Sequence, residues 1–195
     1  AVDLVVRLEA AGLDGVWVAE AWGFDSPTMM GFLAAKTQRV TIGAGILNVY
    51  SRTPSLIAQT AAGLDHVSHG RAMIGIGTSG PQVVEGWHGV AFTDPVERLV
   101  ETMQIVRQVL RRDVLTHRGV FDVPTRAPGS TGLGKPLRLL VRPERSAIPI
   151  WVAALGPKAV AATATWADGW LPLLFSPQHA ADVWGEALAA GARRR

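Results

Sequence analysis

Cysteine is absent from all 195 residues, which excludes disulfides, thiolate zinc sites, cysteine nucleophiles and C-x-x-C redox chemistry together. Its absence is compatible with a cytoplasmic protein, and that location is the expectation. No window stays apolar for the roughly 18 residues that a membrane-crossing helix needs, so no membrane partner is expected. Excess charge is small, at a formal +3, and much of it sits in the terminal "GARRR". A balance so near neutrality gives no reason to expect nucleic acid as a partner. A starting Met is also missing, and "AVDLVVRLEAAGLDG" (1–15) reads as an amphipathic helix already under way. A fragment of a longer chain is therefore the expectation.

What the chain does have is an apolar half, with hydrophobic residues at 48%, and 21 Gly with 12 Pro. The first suffices for one good core, and the second implies many tight connections between short elements. Strand-length apolar runs recur at "GVWVAEAW" (15–22), "RVTIGAGIL" (39–47), "RAMIGIG" (71–77), "IPIWVAAL" (148–155) and "GWLPLLF" (169–175). They are continuous rather than alternating, as in parallel strands covered on both faces. Ser26-Pro27, Thr53-Pro54, Asp94-Pro95, Gly156-Pro157 and Ser176-Pro177 follow them. Each reads as a helix start, because proline at the first helical position loses no hydrogen bond and a polar residue before it can cap. The clearest helix opens at Asp94, with Val96, Leu99, Val100, Met103, Val106 and Leu110 on one stripe and Glu97 placed to complete a capping box. Residues 111–147, rich in Gly, Pro and Arg, break the rhythm and read as an insertion with a hairpin around His117-Arg118-Gly119.

Five strand–helix units can form an open doubly wound sheet or part of a closed eight-stranded barrel. "GIGTSGPQVVEGWHG" (75–89) bears on the choice, because Gly75, Gly77 and Gly80 match the G-x-G-x-x-G spacing of dinucleotide-binding loops. That fingerprint needs a preceding strand, an immediate helix and an acidic residue ending a second strand roughly 20 residues on. Pro81 and the early Gly86 argue against an immediate helix, and the region near residue 100 is the middle of one. A strand followed by an irregular loop fits the functional face of a barrel. The expected architecture is an α/β (β/α)8 TIM barrel, here a single partial domain over 1–195.

Candidate chemistry lies just past the strand ends. The polar groups there are Glu20 and Trp22, then Asn48, Tyr50, Ser51 and Arg52, then Thr78, Ser79, Gln82, Glu85, Trp87 and His88, and Lys158 after the fourth run. Singly, each reads as a loop residue with satisfied hydrogen bonds. Gly43, Gly45, Gly75 and Gly77 sit inside strands, where glycine marks a bulge or the close approach of a flat ligand. "AALGPKA" (153–159) ends a strand in small residues and opens a helix with Gly-Pro, leaving backbone amides free for a phosphate. No metal site is expected: His66 and His69 read as capping a helix end away from the chemistry. "GTSGP" is one residue short of the G-x-S-x-G of a serine nucleophile elbow.

"GVWVAEAWGFDSP", "IGAGILNVYSRTP", "GIGTSGPQVVEGWHG", "GLGKPL" and "IPIWVAALGPKAVAATATWADGWLPL" together resemble the luciferase-like family, specifically the oxidoreductases that use the deazaflavin coenzyme F420. The similarity spans nearly the whole chain in order. It implies an eight-stranded barrel whose first strand lies before Ala1 and whose last two strand–helix units lie after Arg195, and a homodimer at full length. It implies a non-prolyl cis peptide at Gly45-Ile46 behind the deazaflavin ring. Thr78, Ser79 and Gly80 would flank the cofactor, and Ala154, Leu155, Gly156 and Pro157 would receive its phosphate. Hydride transfer to or from a small-molecule substrate is the implied reaction, with Glu20, Glu85 and His88 as candidate catalytic groups. Many relatives carry Asp-His where this chain has Glu20-Ala21, so their substrates do not transfer. FMN-dependent monooxygenase chemistry is the alternative, and a truncated barrel without catalysis is a second.

Overall fold

Helix starts are set by local chemistry in the computed structural model, which describes residues 1–195. Helix α1 (Val2–Ala10) precedes strand β1 (Gly15–Val18), and α2 spans Ser26–Lys36. Its cap is Asp25, whose carboxylate accepts from the Thr28 amide at 3.0 Å. Ser26, the expected cap, instead gives its amide and hydroxyl to Glu20. Strands β2 (Thr41–Ala44) and β3 (Leu47–Asn48) continue one run across Gly45-Ile46, a cis peptide. Thr53 then caps α3 (Pro54–Val67) as expected, accepting from Leu56 at 3.2 Å.

Strand β4 (Ala72–Gly77) leads directly into the short helix α4 (Pro81–Gly86), with Gly80 as its cap residue. The expectation of an irregular loop at that point is corrected: Pro81 opens a turn of helix instead of preventing one. The dinucleotide reading still fails, because α5 (Pro95–Leu110) occupies the place of the required second strand. At the start of α5 the expected capping box is absent. Asp94 is left-handed, with φ at 51°, and makes no side-chain cap. The stripe is nevertheless right in its core, since Leu99, Met103, Val106 and Leu110 are buried.

Strand β5 (Ile150–Ala153), helix α6 (Pro157–Trp166), strand β6 (Gly169–Trp170) and helix α7 (Ala180–Ala192) complete the chain. Helix α7 begins at Ala180, not at the expected Ser176-Pro177. All strand pairs are parallel in the order β1-β2-β4-β5-β6, with β3 also on β4. Five staves of a barrel-type sheet thus stand in chain order with helices outside, over a core that includes Ile42, Ile74, Ile76, Ile150 and Val152. Strands are shorter than their apolar runs, because 19–22 and 171–175 leave the sheet at its carboxyl end.

The insertion has no regular element beyond an antiparallel bridge, His117 to Val123, where the hairpin was expected. Long-range polar contacts hold it. Glu101 on α5 accepts from the Val120 and Phe121 amides, each at 3.0 Å, and lies 2.9 Å from His117 Nε2. The fully buried Asp65 on α3 takes Nε, Nη2 and the amide of Arg145. At the opposite end of the strands from their carboxyl termini, the buried Glu9 accepts from the amides of Gln38, Arg39 and Val40. Burial pushes its carboxyl up, but the three amides and Arg71 outweigh burial and hold it below the ordinary value.

Candidate active site

The carboxyl ends of the staves enclose a cavity of about 460 Å³, lined by Trp17, Ala19, Glu20, Ala21, Gly45, Ile46, Asn48, Ser79, Ala153, Leu171, Pro172 and Leu173. Each stave, or the segment that leaves its carboxyl end, contributes at least one residue, so the cavity is a product of the parallel order. Its walls are mostly apolar, and Glu20, Asn48 and Ser79 are the polar side chains among them.

Glu20 is held firmly. Its Oε2 accepts from Ser26 N at 2.8 Å, Ser26 Oγ at 3.2 Å and Arg52 Nη2 at 3.0 Å. All three bonds converge on one oxygen, which leaves Oε1 as the atom available to a ligand. Arg52 is tied to the same wall, and its Nε is buried without a partner. Nearby, the Thr28 amide and hydroxyl hold the Asp25 carboxyl below its ordinary value.

Gly43, Gly75 and Gly77 make room for protein atoms, which corrects for those three the expectation that a flat ligand accounts for them, whereas Gly45 lines the cavity itself. A Cβ on Gly43 would strike the Trp17 ring, one on Gly75 the Ala44 carbonyl, and one on Gly77 the end of the Ile46 side chain. Trp17 and Ile46 are themselves cavity walls. The glycines therefore let the chain build the surface on which a ligand can lie. Trp17 also packs edge-on against Trp151, with centroids 5.3 Å apart.

Past Ile46, Asn48 is 6% exposed and its Oδ1 accepts from Tyr50 N at 2.9 Å. Its Nδ2 has no partner. Tyr50 donates its hydroxyl to Thr93 O at 2.7 Å and stacks on Phe92, while burial pushes its phenol up and keeps it a donor. Arg98 lies between the Tyr50 and Phe121 rings, with its guanidinium carbon 5.0 and 5.3 Å from their centroids.

Of the residues expected from sequence, Glu20, Gly45, Ile46 and Ser79 come together in this cavity. Thr78 and Gly80 flank Ser79, but the Thr78 hydroxyl turns to the Ser79 carbonyl at 3.2 Å. Ala154, Leu155, Gly156 and Pro157 follow the wall residue Ala153. Two indoles fix this segment, Trp170 Nε1 donating to Ala154 O and Trp184 Nε1 to Leu155 O, each at 2.9 Å. Helix α6 has no side-chain cap, so its first amides are free of one. Glu85 and His88 are not in the cavity. Glu85, on α4, accepts from the Phe92 amide at 3.1 Å, and the His88 backbone N donates to Val83 O at 3.2 Å.

Sequence reasoning left Trp17 and 171–173 out of the site, having read both as plain strand. Asn48 and Arg52 appeared only among many polar loop residues. No group of three or more His, Asp or Glu side chains could hold a metal. His66 does not cap α3: Ser68 is the cap residue and His66 meets Glu144 at 2.9 Å.

The family model described as luciferase-like monooxygenase matches residues 1–195. A protein of Mycobacterium tuberculosis (strain H37Rv) that is named a coenzyme F420-dependent oxidoreductase is 46% identical over 180 residues, covering 91% of this chain and 52% of that protein. The 5,10-methylenetetrahydromethanopterin reductase of Archaeoglobus fulgidus is 29% identical over 185 residues, covering 93% of this chain and 50% of the relative. Among solved structures, the coenzyme F420-dependent tetrahydromethanopterin reductase from Methanopyrus kandleri superposes with a TM-score of 0.84 at 22% identity, over 98% of this chain and 56% of that one. This likeness carries the fold, that of the luciferase-like barrel. The chain spans about half the length of these curated relatives.

Proposed function

Because this chain belongs to the luciferase-like monooxygenase family, we propose that it serves an oxidoreductase that uses coenzyme F420 to exchange a hydride with a small organic substrate. The observation that carries the reading is the meeting of Glu20, Gly45-Ile46, Asn48 and Ser79 in one largely apolar cavity at the strand carboxyl ends. The strong similarity to a protein named for F420 supports the deazaflavin over a flavin.

The residues present fit such a group. A flat ring system needs apolar walls with a few polar groups at its edge, and Trp17, Ile46, Ala153 and 171–173 supply the walls. The uncapped first turn of α6, with Ala154, Leu155, Gly156 and Pro157 leading into it, suits the phosphate of the cofactor tail. Thr78, Ser79 and Gly80 would be further cofactor contacts, Ser79 being a wall residue of the cavity. When bound, the deazaflavin supplies the carbon that takes or gives the hydride. The chain's own part is to orient, to exclude water and to handle a proton. Glu20 is the proton-handling candidate, with Ser26 and Arg52 holding Oε2 while Oε1 accepts from a group in the cavity. The apolar walls keep water from the reacting atoms.

Titration of the purified full chain with F420 and, separately, with FMN tests this reading through ligand fluorescence. Saturable binding of F420, tighter than that of FMN, is expected. Tighter binding of FMN would favour monooxygenase chemistry, and binding of neither would refute the cofactor assignment.

A further inference from the structure

A second cavity, also of about 460 Å³, opens between the end of α5 and the last stretch of the insertion, and its lining includes Arg111, Arg112, Arg138, Arg142, Glu144 and Ser146. We propose that it is a binding site for a small multivalent anion of the phosphate class, held by Arg112, Arg138 and Arg142. Barrel helices run back against their strands, so the end of α5 and the approach to β5 lie on the rim opposite the Glu20 cavity. The two sites are therefore separate. Strands β4 and β5 each have a neighbour on both sides, so the basic cavity is not at an edge of the sheet.

Its outer wall is built, because residues 137–146 are tied down at both ends. Leu115 N donates to Leu137 O at 2.8 Å and Arg112 Nε to Leu139 O at 3.2 Å. At the other end Glu144 meets His66 of α3 at 2.9 Å, and Arg145 Nε donates to the buried Asp65 at 3.0 Å. Arg138 and Arg142 stand between these anchors.

Four guanidinium groups and one carboxylate line the cavity. Arg111 is paired with Asp113 at 2.9 Å, and Glu144 is engaged by His66. Arg112 donates to the neutral carbonyls of Leu139 and Leu140, and no ion pair of the chain includes Arg138 or Arg142. Three positive charges thus share one concave space without a carboxylate of their own. The end of α5 accounts for only a fraction of them, since a helix C-terminus carries roughly half a negative charge. Gathered like charges repel, and protein on one side of them leaves less water to screen the repulsion. A multivalent anion would remove it.

Guanidinium forks match pairs of phosphate oxygens, which favours phosphate over a single carboxylate. Ser146 adds a hydroxyl to the same lining. The volume falls within the roughly 300–1,000 Å³ of small-molecule sites. A compact ligand therefore fits better than the face of an acidic protein.

Pyrophosphate is the probe, titrated calorimetrically into the purified full chain at fixed ionic strength. Saturable binding at one site is expected, with affinity lower by about tenfold or more in the double variant Arg138→Gln/Arg142→Gln. Both residues are exposed and neither guanidinium has a partner to lose, so that variant should melt with the parent and bind F420 as the parent does. Arg126→Gln/Lys135→Gln removes two exposed cations of the same insertion that lie outside the cavity, and it should keep the parent's pyrophosphate affinity. An equal loss there would mean diffuse charge and overturn the site, as would the absence of saturable binding by the parent. Citrate should bind more weakly than pyrophosphate; equal or tighter binding would overturn the phosphate class. A hexaglutamate peptide that binds where pyrophosphate does not would overturn the small ligand in favour of an acidic protein partner. Failure of F420 to bind the parent would refute the cofactor reading and leave this site untouched.

Discussion

Separate Gly75→Ala and Gly77→Ala variants distinguish a glycine demanded by backbone from one demanded by a cavity wall. A Cβ on Gly75 would fall on the Ala44 carbonyl, with the Trp17 ring 3.4 Å away. That carbonyl cannot withdraw freely, because Ala44 is paired with Val18 and the next amide, Gly45 N, donates to Val18 O at 2.8 Å. Overpacking costs about 1–3 kcal/mol, and each backbone bond lost adds about 1 kcal/mol. With that one bond lost, a total of about 2–4 kcal/mol lowers the melting temperature by roughly 5–15 °C in a chain of this size. The Gly77 Cβ meets the terminal carbon of Ile46, which one side-chain rotation can move. Alanine also stiffens the unfolded chain, worth about 0.4–1 kcal/mol, so Gly77→Ala should melt within about 4 °C of the parent. The displaced Ile46 carbon must go somewhere, and Ile46 lines the cavity. F420 affinity should therefore fall in Gly77→Ala while its stability holds. Thermal unfolding by circular dichroism and a fluorescence titration read the two effects independently. A Gly75→Ala melt within 2 °C of the parent, or parent-like F420 binding by Gly77→Ala, would refute the reasoning.

Glu101 gives a pH dependence with a defined sign. Burial raises its carboxyl, but the Phe121 and Val120 amides with His117 outweigh that and hold it below its ordinary 4.5. Because the folded value is the lower one, its stabilisation is full above the unfolded value and is lost as pH falls through the folded value. Hydrogen exchange at Val120 and Phe121 should therefore accelerate below about pH 4.5, and in Glu101→Gln it should already be fast at neutral pH. Unchanged protection in that variant would count against the anchor. Arg145→Ala leaves the fully buried Asp65 without its guanidinium, so urea unfolding should show a loss of about 3 kcal/mol. A loss under 1 kcal/mol would mean that the pair is not what secures the end of the insertion. Trp184→Phe keeps a ring against Trp170 but removes the bond to Leu155 O. Its melt should fall slightly and its F420 dissociation constant should rise roughly threefold, reflecting a loosened tail site; an unchanged constant would detach Trp184 from that site.

The fold was legible where a local rule had no competitor. Thr53 caps α3 because its hydroxyl meets only the neighbouring Ser55 hydroxyl besides, whereas Ser26 loses the cap of α2 to a more demanding partner, the Glu20 carboxylate. Asp94 and Glu97 have the spacing of a capping box, but a left-handed Asp94 carries its carboxylate away from the first turn. Continuous apolar runs located all five staves and overstated their lengths. Glu20 and Leu171 belong to the same runs as β1 and β6 yet face the mouth, and hydropathy does not distinguish a sheet face from a cavity wall. The insertion depends on Glu101 and Asp65, which reach 19 and 80 residues along the chain. No local pattern marks such partners.

The site was legible in outline through glycines whose meaning was partly misread. Glycine in a strand says that something crosses closely, but not whether that something is a ligand or the next strand. Cross-strand pairing decides it. Trp17 pairs with Gly43 and Trp151 with Gly169, and in each case a Cβ on the glycine would enter the indole of its partner. A tryptophan on one parallel strand facing a glycine on the next is a readable pattern, since a large ring laid across the neighbour needs the missing side chain. Applied here, it assigns the Gly43 space to Trp17, which then becomes a cavity wall. What remains unfilled in the cavity is polar: the free Oε1 of Glu20 and the unpaired Nδ2 of Asn48. Those two atoms, and not the glycines, are where a ligand's own chemistry has to match.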